Sequence, residues 1–350
     1  MLHPIFFVSL SVEIRKLVVK VKKNAKNILN VMVSLMLGGA ILYWMYRDFD
    51  FRHVRDVLTS EMSWTWMLLS LPFGIMAQVF RGWRWRQSLE PLGEKSRASV
   101  RVHAVFLSYA ASLVIPRSGE FLRCGVLSQK DGVSFPKALG TVVTERAIDT
   151  LLVVVIALLT VATQFRVFSS FFEETGTSLD AIFHRFTLTG WIVTAICIVA
   201  IGGLAWLLFR NRKIREVFSH IWQGIISLRN VKNAPLFIVY TLAIWGCYFL
   251  HYYLTFFCFD ATSSLGLGCA LATFTVGSFA VIVPTPNGAG SWHFAVKTML
   301  ILYGVGETDA LYFVLIVHSI QTLLVVVLGV YAWVVLALSR SVKCEVWSVK

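Results

Sequence analysis

Between Ser112 and Val155 the chain reads SLVIPRSGEFLRCGVLSQKDGVSFPKALGTVVTERAIDTLLVVV, with ionisable residues set into sequence otherwise apolar enough for a bilayer. Arg117, Glu120, Arg123, Glu145, Arg146 and Asp149 would each cost at least roughly 2.5 kcal/mol if they faced lipid from a helix centre, so they must face protein, water or one another. Charge kept in such an interior marks a candidate site. The segment has a fainter copy downstream: Gly132-Val133 recurs as Gly304-Val305, Ala138 as Ala310, and Thr150 to Val155 as Thr322 to Val327, all at one spacing. After a shift of two residues, Pro116-Arg-Ser-Gly-Glu120 aligns with Pro286-Asn-Gly-Ala-Gly290. The pattern predicts a duplicated membrane unit.

Of the 350 residues, 57% are hydrophobic and 15% charged, and mean hydropathy is +0.71. These values lie outside those of soluble domains and predict an integral membrane protein. The net charge of +13 does not point to nucleic acid, because Lys and Arg sit between long apolar runs, where they set topology. The cysteines show no metal-ligand or CxxC spacing, and most fall within apolar runs as packing residues. The apolar patch from Ile5 to Val12 is short and lacks a small-residue cleavage site, so no signal peptide is expected.

Residues 1–27 carry Arg15, Lys16, Lys20, Lys22, Lys23 and Lys26 against Glu13 and predict a cytoplasmic N-terminus. A single transmembrane domain is expected over 28–338, with repeat units of about 28–163 and 187–338, followed by a cytoplasmic tail at 339–350. In the first unit Ile28 to Tyr46 crosses, Arg47 to Glu61 forms a short outer-surface helix, and Trp64 to Phe80 returns. Arg81 to Arg101 is expected at the cytoplasmic face, with Trp83 and Trp85 at the interface attracting anionic headgroups. Val102 to Ile115 is short for a span and ends at Pro116 and Gly119, and Glu120 to Leu127 suits a second short helix, so together they predict a re-entrant hairpin. Ala138 to Thr163 then crosses outward.

In the second unit Thr187 to Phe209 crosses, residues 210–232 lie on the inner leaflet, and Ala234 to Phe259 crosses again. Leu265 to Pro284 with Pro286 to Leu302 repeats the broken hairpin, and Thr308 to Leu338 crosses last. The assigned cytoplasmic segments hold 21 Lys and Arg and the outer loops 5, as the positive-inside rule requires. The expected fold is an all-α polytopic membrane protein, with about six full crossings and two broken re-entrant hairpins, about eight hydrophobic segments, in an inverted repeat. Such repeats are the architecture of secondary transporters.

The site residues follow from this layout. Ser118 is placed to N-cap a half-helix from Gly119, aiming unpaired N–H groups at a phosphate beside Arg117 and Arg123. The alternative is a structural network in which Arg117, Arg123 and Arg146 neutralise Glu120, Glu145 and Asp149. Glu145 and Asp149 share a helical face and should meet the Arg117 hairpin, where protonation of one could couple transport to protons. At the second tip Pro286, Asn287, Gly288 and Gly290 permit close backbone approach, Asn287 or Ser291 could cap the next half-helix, and His293 and His318 stand near. No metal-binding spacing is present, and no metal or cofactor is expected. His251 reads as packed or interfacial.

Through RGWRWRQSLEPLG, PRSGEFLR, VVTERAIDTLL and the PTPNGAG tip, over about Ile28 to Leu338, the chain resembles the transmembrane region of lysylphosphatidylglycerol synthetases, the flippase-like membrane family. Asn287 stands where the family's tip has its first Gly, and His293 where it has an acid. The resemblance implies a bacterial or archaeal inner-membrane protein that moves a lipid between leaflets; relatives are linked to aminoacyl-phosphatidylglycerol, hopanoid and glycolipid pathways. The soluble aminoacyl-transferring domain of the full synthetases is expected to be missing. The first functional expectation is therefore a flippase for a phosphate-bearing or zwitterionic lipid, such as an aminoacyl-phosphatidylglycerol, a glycolipid or a polyprenyl-linked lipid. It would not be an ATPase, as no GxxxxGK[ST] loop occurs. Two alternatives stay open. One is a membrane-embedded lipid-modifying enzyme using Glu145, Asp149 or His318 as acid or base; the other is a membrane subunit recruiting a separate lipid-synthesising enzyme. Membrane lipids are the expected partners and nucleic acid is not.

Overall fold

The computed structural model describes residues 32, 36–47, 49–50, 52–165, 233–283 and 285–339. The expected crossing at 187–209, the segment at 210–232, the N-terminus and almost all of the tail lie outside the described residues. Among the described residues helix is the regular structure. The helices are α1 (Met36–Tyr46), α2 (His53–Asp56, continued as a π-turn over Val57–Glu61), α3 (Trp64–Leu89), α4 (Ala98–Val114), α5 (Gly119–Asp131) and α6 (Phe135–Thr163). After residue 232 come α7 (Ala234–Tyr253), α8 (Asp260–Ser263), α9 (Leu267–Ala280), α10 (Ser291–Leu302) and α11 (Glu307–Leu338).

By length and composition three of these segments can cross a membrane: Phe135–Thr163, Ala234–Cys258 and Glu307–Leu338. A fourth candidate is the pair His53–Glu61 and Trp64–Leu92, bent by 90°. Large apolar side chains on their outer faces stay uncovered, among them Leu151, Leu158, Ile238, Leu242, Val327 and Val330. Such an exterior suits lipid rather than water.

Local chemistry sets the helix ends. Pro116 restricts Ile115 to extended backbone (φ −124°, ψ 111°), which stops α4 at Val114. Gly132 (φ 71°) closes α5 in the left-handed conformation. Pro136 and Pro235 sit in the first turns of α6 and α7, where no N–H is missed, and the Asn233 side chain accepts from the Leu236 N–H to cap α7. Arg117 (φ 63°) and Asn287 (φ 52°) are the non-glycine residues with positive φ among those described. They occupy aligned positions of the two sequence repeats, as do Gly132 (φ 71°) and Gly304 (φ 90°).

Between membrane helices, close approach replaces the hydrophobic drive, and small residues mark each crossing. Gly329 of α11 meets Ala110 of α4, Gly74 of α3 meets the His251 ring of α7, and Gly119 at the start of α5 lies on the Ser108 carbonyl of α4. The last contact folds α4 and α5 into a hairpin. α4 packs on α11 and α9 packs on α6, where Thr160 and Thr275 hydroxyls lie 3.3 Å apart. α3 packs along α7, and His251 proves to be a packed residue, its Nδ1 donating to the Ser70 carbonyl at 2.8 Å. One aromatic core gathers Tyr252, Phe256, Phe259 and Phe313; a second gathers Trp85, Leu89, Ala104, Leu127 and Ala138.

The stretch from Arg81 departs from expectation. α3 does not end at Phe80 but continues to Leu89, and Arg81, Arg84, Arg101 and Trp85 are buried inside the bundle. Trp83 and Arg86, and farther on Lys95 and Arg97, stay at the surface as expected. For Arg81 and Arg84 the cause is a counter-charge on α6, described below.

The α4–α5 hairpin gives a paired test. A Cβ at Gly119 would overlap the Ser108 carbonyl oxygen, whereas one at Gly125 meets nothing within 4 Å. Gly119→Ala should lower stability by about 1–3 kcal/mol through overpacking, and Gly125→Ala should be neutral or gain about 0.5–1 kcal/mol. Thermal unfolding of purified protein reads both, and equal behaviour would contradict the packing.

Candidate functional site

α6 presents Glu145 and Asp149 on one face, as i, i+4 spacing requires. Asp149 is 4% exposed and holds one guanidinium on each oxygen: Arg81 Nη1 at 2.6 Å and Arg84 Nη1 at 2.8 Å, both from α3. Three residues apart on a helix, these arginines share a face. Arg84 also donates to Thr241 Oγ1 of α7 at 3.1 Å. From Asp149 the charges alternate through Arg146 at 3.8 Å, Glu120 bonded to Arg146 at 2.5 Å, and Arg123 at 3.0 Å from Glu120 and 3.3 Å from Glu145. The Arg123 guanidinium lies 4.7 Å from the centre of the Trp85 ring, a cation–π contact, and Trp85 Nε1 donates to Thr141. Four helices, α3, α5, α6 and α7, are thus joined by one buried network.

The network differs from the expected balanced set. Arg81 and Arg84 belong to it and Arg117 does not, so Arg81, Arg84, Arg123 and Arg146 face Glu120, Glu145 and Asp149 with one positive charge in excess. Arg84 Nη2, Arg123 Nη1 and Glu145 Oε1 are buried with no hydrogen-bond partner among the described residues. The open edge is Arg146, whose side chain is 41% exposed, beside Glu120 at 25%. Glu145 and Asp149 also divide their partners: the first meets Arg123 of the hairpin, the second meets α3.

Arg117 instead reaches the other hairpin, its Nη2 donating to the Ile282 carbonyl at 3.0 Å. The two tips are therefore neighbours. Ser118 does not cap α5; its hydroxyl turns back to donate to the Ala111 carbonyl, because the backbone there is already helical (φ −67°, ψ −25°). Gly119 serves the tip by close packing, as above. At the second tip neither Asn287 nor Ser291 caps α10. Gly290 takes that position, its N–H donating to His293 Nδ1 at 3.3 Å, while Ser291 bonds the Gly288 carbonyl. Asn287 Nδ2 donates to Thr322 Oγ1 at 3.0 Å, and His318 Nε2 donates to the Asn287 carbonyl at 3.2 Å. Pro286 and Gly288 form the 3-10 turn that carries these groups.

Beside this tip a cavity of about 900 Å³ opens between α1, α11 and the second hairpin. Asn287, His293, His318 and Thr322 line its polar end, and Leu42, Leu113, Leu315, Leu323 and Val326 its apolar flank. The His293 and His318 rings lie 4.5 Å apart, but no group of three or more His, Cys, Asp or Glu converges among the described residues. Sequence reasoning missed Arg81, Arg84, Trp85, Thr241 and Thr322. The signal for the first two was present in RGWRWR: arginines at i, i+3 on the face opposite Trp83 need a buried acid as much as they need a headgroup.

Asp149 and Arg117 separate the network from the tip. Asp149→Ala leaves two buried guanidiniums uncompensated and should cost about 3–5 kcal/mol. Arg117→Gly loses one hydrogen bond while relieving a positive φ, and should stay within about 1.5 kcal/mol of the parent. Equal loss of melting temperature in both variants would contradict the assignment.

The chain is 24% identical over 309 residues to Glycosyltransferase AglD of Haloferax volcanii, a match covering 77% of this chain and 49% of that protein, so the chain spans about half the length of that relative. Residues 31–329 match the model of the lysylphosphatidylglycerol synthase TM region. That span takes in both hairpins, the buried network and the cavity, and by it this multi-pass, lipid-related membrane protein belongs to the lysylphosphatidylglycerol synthase TM region family.

Proposed function

We propose that the protein is a flippase-like transporter that moves a phosphate-bearing or zwitterionic lipid between leaflets, without ATP hydrolysis. The observation that carries this reading is the meeting of two hairpin tips beside an amphipathic cavity: Arg117 bonded to the Ile282 carbonyl, with about 900 Å³ of space polar at one end and apolar along its flank. A lipid needs both environments at once, the headgroup at His293 and Asn287 and the chains against Leu323 and Val326. The excess guanidinium charge and the open edge at Arg146 and Glu120 supply attraction for a phosphate. An inverted repeat is supported by reciprocal packing, α4 on α11 and α9 on α6, and by the matched backbone at Arg117 and Asn287. Two such units rocking about the tips would give two-sided access. Six crossings, cytoplasmic ends and an inner-membrane location belong to the same proposal. The lipid could be an aminoacyl-phosphatidylglycerol, a glycolipid or a polyprenyl-linked lipid.

The relative's name raises glycosyl transfer as a second reading. It is the weaker one, because no Asp or Glu among the described residues lines the cavity and the buried acids Glu145 and Asp149 are each engaged by arginine.

Reconstitution separates the readings. Protein in liposomes should move fluorescent phosphatidylglycerol across the bilayer with no new lipid product, and a neutral diacylglycerol probe should show no protein dependence. Glu120→Gln and Arg123→Met should each cut the rate at least about tenfold, the effect of losing one charge-assisted contact. A new lipid product would favour the enzyme, and neither movement nor product would favour a subunit that recruits an enzyme.

A further inference from the structure

A second pocket lies away from the tips, where α3 ends and α4 and α7 begin. It has two lobes of about 480 and 680 Å³ that share Arg86, Glu90, Ala98 and Arg101, and none of its residues lines the tip cavity. Its central group is Arg101, 3% exposed. All of its hydrogen-bond partners among the described residues are neutral oxygens: Nε donates to the Gly82 carbonyl at 3.1 Å, and Nη1 to the Ser96 carbonyl and, at 3.0 Å, the Ser96 hydroxyl. These bonds fix the guanidinium plane and leave Nη2 without a partner among the described residues. Glu90 and Asp131 act on it only from beyond hydrogen-bond distance, so this buried guanidinium lacks a direct counter-ion among the described residues and retains a demand for an anion.

The surroundings repeat that demand. The acids lining the pocket are already engaged, Glu90 by Arg86 Nε at 2.5 Å and Glu94 by Lys137 at 2.9 Å. Arg86 spends only that edge and is 63% exposed, so its other nitrogens face outward. Ala98 begins the 17-residue α4, and Arg97 before it provides no side-chain cap. Asp131 takes the Arg97 N–H at 2.8 Å and the Arg97 side chain at 2.7 Å, and the N–H groups that follow in the first turn of α4 keep the positive end of the helix beside the pocket. Opposite stand aromatic rings: Trp83 lies 5.5 Å from Phe80 and 6.2 Å from Tyr240, ring centre to ring centre. Cationic groups beside an aromatic wall at the end of a membrane helix match a phosphate with an apolar body attached.

We propose that this pocket binds the phosphate of an anionic phospholipid, the phosphate between Arg101, Arg86 and the start of α4, and the glycerol and upper chain against Trp83 and Tyr240. The site is separate from the transported-lipid cavity and stands whether or not the protein moves lipid. Because Arg101 also holds the Gly82 carbonyl, between Arg81 and Arg84 in the chain, the bound phosphate would sit next to the backbone that carries the buried network.

The test is binding by the purified full chain in a mild detergent, read as retained lipid in native mass spectrometry and as a shift in melting temperature. Dioleoyl phosphatidylglycerol should bind and stabilise, and dioleoyl phosphatidylcholine should do so far less. Arg86→Gln and Trp83→Ala, both at exposed positions, should each weaken phosphatidylglycerol binding about tenfold, while Arg52→Gln on an exposed turn elsewhere should not. Unchanged binding in both pocket variants would overturn the site. Equal binding of the two lipids would overturn its charge selectivity. A full shift from sodium phosphate alone, with phosphatidylglycerol adding nothing, would show a site for soluble phosphate and overturn the lipid assignment.

Discussion

A single buried carboxylate, Asp149, takes a separate guanidinium on each oxygen, and the described bundle depends on that arrangement. Without it α3 could not continue past Phe80 into the protein interior, since Arg81 and Arg84 would each need water or a headgroup. With it, α3 runs on to Leu89, keeps its long contact with α7, and carries Trp85 under Arg123. The same network then fixes α5 to α6 through Glu120, Arg123, Arg146 and Glu145. Buried ion pairs are weak sources of net stability, because the desolvation cost is of the same size as the attraction. A network with unpartnered N–H groups and one surplus positive charge is poorer still on that count. Under the transport proposal that surplus charge serves to hold an anion.

The two hairpins are alike in backbone and unlike in chemistry. Arg117 aligns with Asn287, Arg123 with His293 and Arg146 with His318. The first hairpin is fastened by ion pairs; the second is fastened by a circuit in which Asn287 donates to Thr322 and accepts from His318. Under the transport proposal, the charged half supplies attraction for a phosphate and the second hairpin lines the open cavity with neutral groups, across from Arg47. The tips meet through a guanidinium and a backbone carbonyl, a contact that breaks at low cost compared with the network behind it.

Much of this could be read in the sequence, and the failures have physical causes. The segment from Ser112 to Val155 pointed to an enclosed charge cluster because intramembrane charge tolerates few alternatives, and Glu145 with Asp149 fell on one face by helical period alone. Pro116 and the glycines of the second tip located both breaks. Hydropathy misled at Arg81, since a run of arginines and tryptophans looks the same whether it snorkels to an interface or meets a buried acid. Only the tertiary partner decides, and Asp149 lies far away in the chain. The cap at Ser118 failed for a similar reason, its hydroxyl finding the Ala111 carbonyl across the hairpin. Tip contact followed from the repeat, and its agent, Arg117, stands at the tip as expected, outside the ion-pair network in which the alternative reading set it.

The most direct measurement joins the two tips covalently. In a background without the native cysteines, Arg117→Cys and Ile282→Cys should be bridged by a short bifunctional reagent, and lipid movement in liposomes should stop when the bridge forms and return when it is cleaved. A pair that stays unbridged although each cysteine reacts singly would contradict the contact, and a bridged protein that still moves lipid at the parent rate would contradict the role given to the tips.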